Sequence, residues 1–449
     1  MDAGDELDLD VTSVAHGGVF VGRFGAGATT AEPGAGESAG ATRGGRVIFV
    51  PDAIPGERVR VRLTDVGKKS FWRGDVIDVL DASPHRQPHV WRQADVAVPP
   101  HLRPGGADFG HIDLAHQRSL KREVLTDALQ RFGGVALPFD VTGPVEVSDA
   151  EGRIVDAETP DGTRWRTRVS LHVDADGRIG PYAARSHTVV PVEDLPLATA
   201  AVEQAARRQT HGRPGRIDLI QPADGRVRVL PRPDTARSAP TQAREVVTER
   251  VGTREFRVDA GGFWQVHRLA AATLDAAVRS AIRAAAPRDA GDAVLDPGAW
   301  HLDLYGGVGL FAAALAELGG GRVTSVESDT RATEHAGENL AEWVGARAET
   351  ARVDRFLSRL GAEASDRERE RLSRGVTVLD PPRSGAGREV VERIAALRPA
   401  TVVYVACDPV ALARDVATFR AEGYDLRRVA AYDIFPNSHH IEAVATFVR

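Results

Sequence analysis

Apolar and charged residues alternate near the start of the chain. Leu7, Leu9 and Val11 are separated by aspartates, Val59, Val61 and Leu63 by arginines, and Val76, Ile77 and Val79 follow a glycine. A period of two marks strands with one buried face, so residues 5–82 predict a small β module, a barrel or curled sheet. The glycine-rich stretch 25–45 has no apolar period and predicts a long loop.

Residues 85–245 carry a weaker pattern. A helix is expected over 114–132, strands over 141–147 and 169–173, an alanine-rich helix over 197–208, and a linker or exposed loop over 231–244. From about residue 246 short apolar runs alternate with helical ones. Strands are expected at 301–305, 322–327, 348–353, 376–380, 402–406, 426–431 and 441–448, and helices at 310–318, 330–344, 390–397 and 409–422. Such alternation predicts an α/β, mostly parallel, doubly wound Rossmann-like sheet with its ligand at the carboxyl ends of the strands. Three domains follow: a β-barrel over 1–82, a central α+β domain over 85–245 and the doubly wound domain over 246–449.

Composition narrows the class. The 449 residues include 57 Lys+Arg and 63 Asp+Glu, a net charge of −6, so any nucleic-acid surface must be local. One such region is 43–92, where ten basic residues meet six acids and Phe71 and Trp72 are interleaved. Arg58, Arg60 and Arg62 would share one strand face there, with Lys68, Lys69 and Arg73 nearby, suiting phosphates and stacked bases. Arg164, Arg166 and Arg168 repeat the alternation around Trp165. No apolar run reaches the ~20 residues of a bilayer span, and the acidic first ten residues lack the basic and apolar parts of a secretory signal, so a cytoplasmic address is expected. A single cysteine, Cys407, excludes an intrachain disulfide framework, a cysteine-rich zinc site and a cluster held only by this chain's thiolates.

Candidate chemistry gathers at strand ends. Leu302-Asp303-Leu304-Tyr305-Gly306-Gly307-Val308-Gly309 runs from a buried strand through a glycine turn into a helix, where Gly307 lets the backbone approach a ligand. Glu327 ends the next strand, 22 residues after Tyr305, the spacing of an acid that binds ribose hydroxyls. The glycine order is not that of a dinucleotide fingerprint, so S-adenosylmethionine fits better. Asp380-Pro381-Pro382-Arg383 forms a rigid strand end. Cys407 ends the strand after it, before Asp408-Pro409 and a helix whose N-terminus is expected to favour the thiolate. Asp433 to Glu442 is a second polar cluster between two strands of a closing hairpin, and its adjacent histidines cannot both face one metal from an extended segment. A thiolate adding to carbon 6 of a pyrimidine makes carbon 5 nucleophilic toward a sulfonium methyl, and a carboxylate can then remove the carbon 5 proton. Cys407 and Glu442 supply that pair.

These motifs, in this order, resemble the RNA uracil-C5 methyltransferases that modify ribosomal or transfer RNA. The resemblance implies an N-terminal TRAM domain and RNA as partner. Through Phe263-Trp264-Gln265-Val266-His267 it implies that Gln265 contacts S-adenosylmethionine, together with Tyr305, Glu327 and Asp380. It likewise implies Cys407 as nucleophile and Glu442 as base, while Arg60, Lys68, Arg164, Arg166 and Arg383 are candidate RNA contacts on the reading of the residues themselves. Many relatives hold an iron–sulfur cluster with four cysteines. Around Gly105-Gly106-Ala107-Asp108 this chain has none, so no cluster is expected. His267 and Asp408 stand where asparagine is usual, Asn437 where His or Gln is common, and Gly306 where cysteine is frequent. Two rival readings remain open here: an adenine-type exocyclic-amino methyltransferase, because of Asp380-Pro381-Pro382, and a non-catalytic RNA-binding protein.

Overall fold

The computed structural model describes residues 1–25, 45–149, 151–210, 212–235, 241–286 and 294–449. Most of the loop expected over 25–45, and positions 236–240 of the expected linker, lie outside the described residues. In chain order the strands are β1 (Glu6–Ala15), β2 (Val19–Phe24), β3 (Arg46–Val50), β4 (Arg58–Asp65), β5 (Phe71–Asp81), β6 (Val141–Thr142), β7 (Val147–Ser148), β8 (Ile154–Asp156), β9 (Arg168–Val173), β10 (Ile179–Gly180), β11 (Gly215–Ile220), β12 (Arg228–Pro233), β13 (Val246–Val251), β14 (Arg254–Asp259), β15 (His301–Leu304), β16 (Val323–Glu327), β17 (Ala346–Thr350), β18 (Val376–Leu379), β19 (Thr401–Ala406), β20 (Asp425–Tyr432) and β21 (Glu442–Val448). The helices are α1 (Leu114–Arg131), α2 (Ala200–Arg207), α3 (Ala270–Ala285), α4 (Leu310–Glu317), α5 (Thr330–Asn339), α6 (Val353–Glu363), α7 (Asp366–Ser373), α8 (Arg388–Leu397) and α9 (Pro409–Ala421). They fall into two units, Met1–Leu120 with Pro181–Val192 and Asn437–His439, and Lys121–Gly180 with Glu193–Pro436 and His440–Arg449.

In the first unit β1-β2-β3-β5-β4 closes into a barrel. The alternation decides which residues fill it: Leu7, Leu9, Val11, Val59, Val61 and Leu63 turn inward to meet Phe20, Ile48, Val50 and Val76. Each such side chain contributes roughly 1.5–3 kcal/mol by leaving water. The outward residues face one another across the β1–β4 ladder, which sets Glu6 opposite Arg62, Asp8 opposite Arg60 and Asp10 opposite Arg58.

The chain after the barrel is held by one buried guanidinium. Arg103 donates to the carbonyls of Val98, Val96 and Val76 at 2.6, 2.7 and 3.0 Å and to the Asp52 carboxylate at 2.7 Å. Two residues on, the Gly105 N–H donates to the Tyr182 carbonyl at 2.9 Å, and Ala107 is buried. Polar bonding and packing therefore order the segment around Gly105-Gly106-Ala107-Asp108, for which the family resemblance raised an iron–sulfur cluster.

The second unit is built on an eight-stranded sheet, ordered β17-β16-β15-β18-β19-β21-β20-β6. Neighbours from β17 to β19 run parallel, and β21 is antiparallel to β19 and β20. The expected α/β class is the observed one. The middle strands are buried on both faces: Val402, Tyr404 and Ala406 enter one core, and Val403 and Val405 enter the other. This is why they read as continuous apolar runs. Strand order reverses at β15, between β16 and β18, so the carboxyl ends of β15 and β18 flank the crevice where such sheets bind ligands.

Several local expectations need correction. The strand expected at 348–353 ends at Thr350, and Val353 opens α6, whose apolar residues Val353, Phe356, Leu357 and Leu360 repeat at helical spacing. The strand expected over 141–147 is split into β6 and β7 around Pro144, which has no N–H to donate. Helices α3, α6 and α7 were not anticipated. Arg164 and Arg166 are not on a regular strand: Arg164 has φ 60°, and β9 begins only at Arg168. No described helix is long and apolar enough to cross a membrane.

Replacing Arg103 by Met strands the Asp52 carboxylate and three carbonyls. A loss of about 3 kcal/mol in urea unfolding is expected, partly recovered by adding Asp52→Asn. An unchanged midpoint would show that Arg103 does not order this segment.

Candidate active site

The first strand end is shaped by crowding. β15 leads into Tyr305 at φ 61°, Gly307 at φ 53° and Gly309 at φ 92°, and Gly309 caps α4. A Cβ at Gly306 would lie 2.0 Å from the Ser325 hydroxyl and 2.7 Å from the Asp303 carboxylate, so this chain needs glycine there. A Cβ at Gly307 would meet nothing within 4 Å, leaving that side of the turn open to a ligand.

Glu327 reaches back from the end of β16. Its Oε2 accepts from the Gly307 N–H at 3.2 Å, and its Oε1 accepts from the Asp329 N–H at 2.8 Å. Asp303 is buried; its Oδ2 accepts from the Ser325 hydroxyl at 3.0 Å and the Ala312 N–H at 3.1 Å, while Oδ1 has no partner among the described residues. Burial pushes its pKa up to about 7. Burial, and then the neighbouring Asp303, push Asp380 up to about 7 as well.

The second cluster forms where β18, β19 and β21 meet. Antiparallel pairing sets Ala406 opposite Ala443, and the same register continued by one residue sets Cys407 across from Glu442. Cys407 is partly exposed beside Pro381, Pro382 and Arg383. Its thiol is pushed up to about 12, first by burial and then by Glu442 and Asp380, with Arg383 opposing. Glu442 is buried and its carboxyl is raised well above the usual range, by burial and then by Asp380, again opposed by Arg383. Cys407, Glu442, Asp380 and Arg383 are thus electrostatic neighbours.

The thiolate expected from the adjoining helix is therefore not the resting state. Asp408 caps α9, and its carboxylate accepts the Val410 and Ala411 N–H groups at 3.0 and 2.8 Å. The positive end of the helix is already answered by a carboxylate, while two further acids face the sulfur.

Two buried polar devices hold the loops. Asp415 on α9 accepts the Tyr404 hydroxyl at 2.7 Å and the Ala386 and Gly387 N–H groups at 2.8 and 3.2 Å, fixing the chain after Asp380-Pro381-Pro382-Arg383. Lys121, fully buried, donates to Asp433 at 2.5 Å and to the Phe435 carbonyl at 3.1 Å. Beyond them stands an aromatic wall that the sequence reading missed. His267 stacks on Trp165 at 5.4 Å, Trp165 meets Phe435 edge-on at 6.2 Å, Phe435 meets His440 at 5.8 Å, and His440 lies 3.4 Å from Arg383. Burial lowers His267 to about 3, so it serves the wall as a neutral ring. Asn437 holds φ 63°, a left-handed conformation that Asn tolerates, and its Oδ1 accepts from Gln117 at 2.9 Å.

The other expected residues separate. Tyr305 is partly buried, with its hydroxyl pushed up to about 12 by burial, and Gln265 is partly buried on the segment after β14. Burial, and then the nearby charge of Arg383, lower the pKa of Arg166. Arg164 pairs with Glu203, Arg60 pairs with Asp8 at 2.9 Å, and Lys68 sits over Phe71 at 4.9 Å. A glycine turn, an acid at the end of the next strand and strand-end acids beside a thiol, on a doubly wound sheet, fit a class I methyltransferase architecture.

Comparison with known proteins makes the class specific. The model for tRNA (Uracil-5-)-methyltransferase matches residues 296–449, and that for the TRAM domain matches 3–77. The chain is 36% identical over 470 residues to an uncharacterized RNA methyltransferase of Streptomyces avermitilis, covering 98% of each. It is 30% identical to the 23S rRNA (uracil(1939)-C(5))-methyltransferase RlmD of Halomonas elongata, covering 89% of this chain and 84% of that one. Its fold resembles the crystal structure of Pyrococcus abyssi tRNA (uracil-54, C5)-methyltransferase in complex with S-adenosyl-L-homocysteine, with TM-score 0.61, 20% identity and coverage of 90% and 96%. The chain belongs to the RNA uracil-C5 methyltransferase family and is an enzyme of that kind.

Two outcomes follow from this geometry. Alkylation of Cys407 in the RNA-free enzyme should at pH 8 run at least about a hundredfold slower than for an unperturbed thiol, because only the thiolate reacts and its pKa lies far above the usual ~8.5. A reaction as fast as that of a free thiol would contradict the burial argument. Gly306→Ala should weaken methyl-donor binding about tenfold or more in calorimetry; unchanged binding would mean that Ser325 yields freely.

Proposed function

We propose that the enzyme methylates carbon 5 of a uridine in ribosomal or transfer RNA through a covalent adduct between Cys407 Sγ and carbon 6, with Glu442 as general base. The observation that carries this reading is the β19–β21 register, which sets the thiol and the carboxyl at the same level on adjacent strand ends. An exocyclic-amino methyltransferase would have no use for that pair.

The residues at the first strand end suit S-adenosylmethionine. The open side of Gly307, the acid Glu327 and the unpartnered oxygen of Asp303 offer one backbone approach and several acceptors to a cationic nucleoside. Tyr305, Gly307, Glu327 and Asp380 would hold it, joined by Gln265 on the family resemblance. When bound, the cofactor supplies a methyl group activated by a sulfonium.

The chain's own groups perform the remaining steps. Arg383 is the residue whose charge favours the ionised thiol and carboxyl against the field of the acids. As thiolate, Sγ bonds to carbon 6 and the electron pair of the C5–C6 double bond becomes an enolate reaching carbon 5. After carbon 5 has gained the methyl group, the Glu442 carboxylate removes the proton left there. The released pair restores the double bond and expels Sγ. Phe435 and His440, the partly exposed end of the wall that Trp165 and His267 back from within, give a flipped base aromatic surfaces to pack against.

Cys407→Ala should abolish methyl transfer while leaving donor binding within about twofold of the native value, a difference of less than ~0.5 kcal/mol. Glu442→Gln should form the RNA adduct and accumulate it. Because Glu442 acts ionised and its pKa is raised, the acid limb of native kcat should lie above the ordinary carboxylate range, with activity rising as pH increases through it. Methylated product from Cys407→Ala would exclude the covalent route.

A further inference from the structure

Among the described residues the barrel carries two cationic regions, and one of them is internally neutralised. On the β1–β4 wall the arginines have partners: Arg60 with Asp8 at 2.9 Å, Arg62 with Glu6 at 2.8 Å, and Arg58 at 4.0 Å from Asp8. These ladder pairs spend their positive charge locally. At the rim where β3 and β5 run in parallel, Val47 lies opposite Phe71, Ile48 opposite Trp72 and Phe49 opposite Arg73. Strand alternation sends Trp72 to the barrel mouth with Ile48, and sends Phe71, Arg73 and Phe49 to the outer wall.

Cations at this rim lie over rings instead of pairing with acids. Arg46 sits 5.0 Å from the centroid of Trp72, Lys68 4.9 Å from that of Phe71, and Arg73 5.7 Å from the same ring. Phe49 meets Phe71 edge-on at 5.4 Å, and Phe24 approaches Trp72 at 6.5 Å. Asp65 lies opposite Arg73 in the ladder, and its carboxylate accepts from the Gly67 N–H at 3.0 Å. Among the described residues no ion pair within 4.0 Å is made by Arg46, Lys68, Lys69 or Arg73. Lys68, Lys69 and Arg73 are exposed, and Phe71, Trp72 and Arg46 are partly exposed.

We infer that this β3–β5 rim, and not the arginine face of β4, is where the barrel grips a single-stranded stretch of the substrate RNA, a reading that rests on RNA being the substrate. Phosphates would draw the cations off the rings, and the uncovered faces of Phe71 and Trp72 would stack bases. That exchange is favourable because an exposed cation–π contact is weaker than a base stacked on an aromatic side chain. A paired arginine on the β4 wall would first have to give up its carboxylate.

The test uses the full chain and a fluorescently labelled single-stranded RNA, with anisotropy read at several salt concentrations. Lys68→Ala/Arg73→Ala should bind about tenfold more weakly and lose about 1.4 from the slope of log K against log salt, ~0.7 for each phosphate contact. Phe71→Ala should weaken binding with little change in slope, because stacking releases few ions. Arg58→Ala/Arg62→Ala should change affinity by less than about threefold. The inference is overturned if that last variant loses as much as Lys68→Ala/Arg73→Ala, or if Lys68→Ala/Arg73→Ala keeps native affinity and slope. Methyl transfer by the native chain, assayed in parallel, separates the two readings. Turnover with unaltered binding by Lys68→Ala/Arg73→Ala removes the rim alone, whereas absence of turnover removes the functional reading.

Discussion

Ala406 and Ala443 face each other across an antiparallel ladder in the middle of the sheet, and the proposed chemistry depends on what stands one residue beyond them. From there Cys407 and Glu442 leave adjacent strands at the same level. Neither strand can slip to separate them, because a shift of one residue would exchange the two faces of strands that are buried on both sides. Asp380, just after β18 on the other side of β19, raises the proton affinity of both Cys407 and Glu442, and Glu442 raises that of Cys407. Burial and these neighbours together favour the protonated forms of the thiol and the carboxyl.

Loops at strand tips need independent restraint, and both are restrained by buried charge. Asp415 ties three donors around the turn that follows Arg383, and Lys121 pairs with Asp433 in complete burial. A buried ion pair contributes little net stability compared with apolar packing, but loss of one partner leaves a charge that costs about 3–5 kcal/mol. Such pairs fix one arrangement of the loop against its alternatives. The aromatic wall from His267 to His440 is consistent with that rigidity.

Legibility followed sequence distance. The barrel and the central strands could be read directly, because period-two alternation in 7–11 and 59–63 and continuous apolar runs such as 402–406 follow from which faces are buried. The thiol and its carboxylate were legible as ends of such runs. The acidity of the thiol was not: the helix end beside it suggested a thiolate, but Asp408 answers that end and two carboxylates from other strands oppose ionisation. Lys121 gave no signal because its partner lies 312 positions away. The arginines of β4 looked like an RNA face because their neutralising acids, Glu6 and Asp8, come from a strand more than fifty positions earlier. Asn437, a departure from the family pattern, is accounted for by its left-handed backbone and its bond to Gln117.

The central claim is that sulfur and carboxyl act on one pyrimidine ring. Its most direct test is mass spectrometry of the native enzyme incubated with S-adenosylmethionine and RNA carrying 5-fluorouridine at the target, since fluorine cannot leave as a proton. The account predicts a stable conjugate of protein, nucleotide and one transferred methyl group, mapped after digestion to the peptide containing Cys407. Methyl transfer without a conjugate, or a conjugate on any other residue, would contradict it.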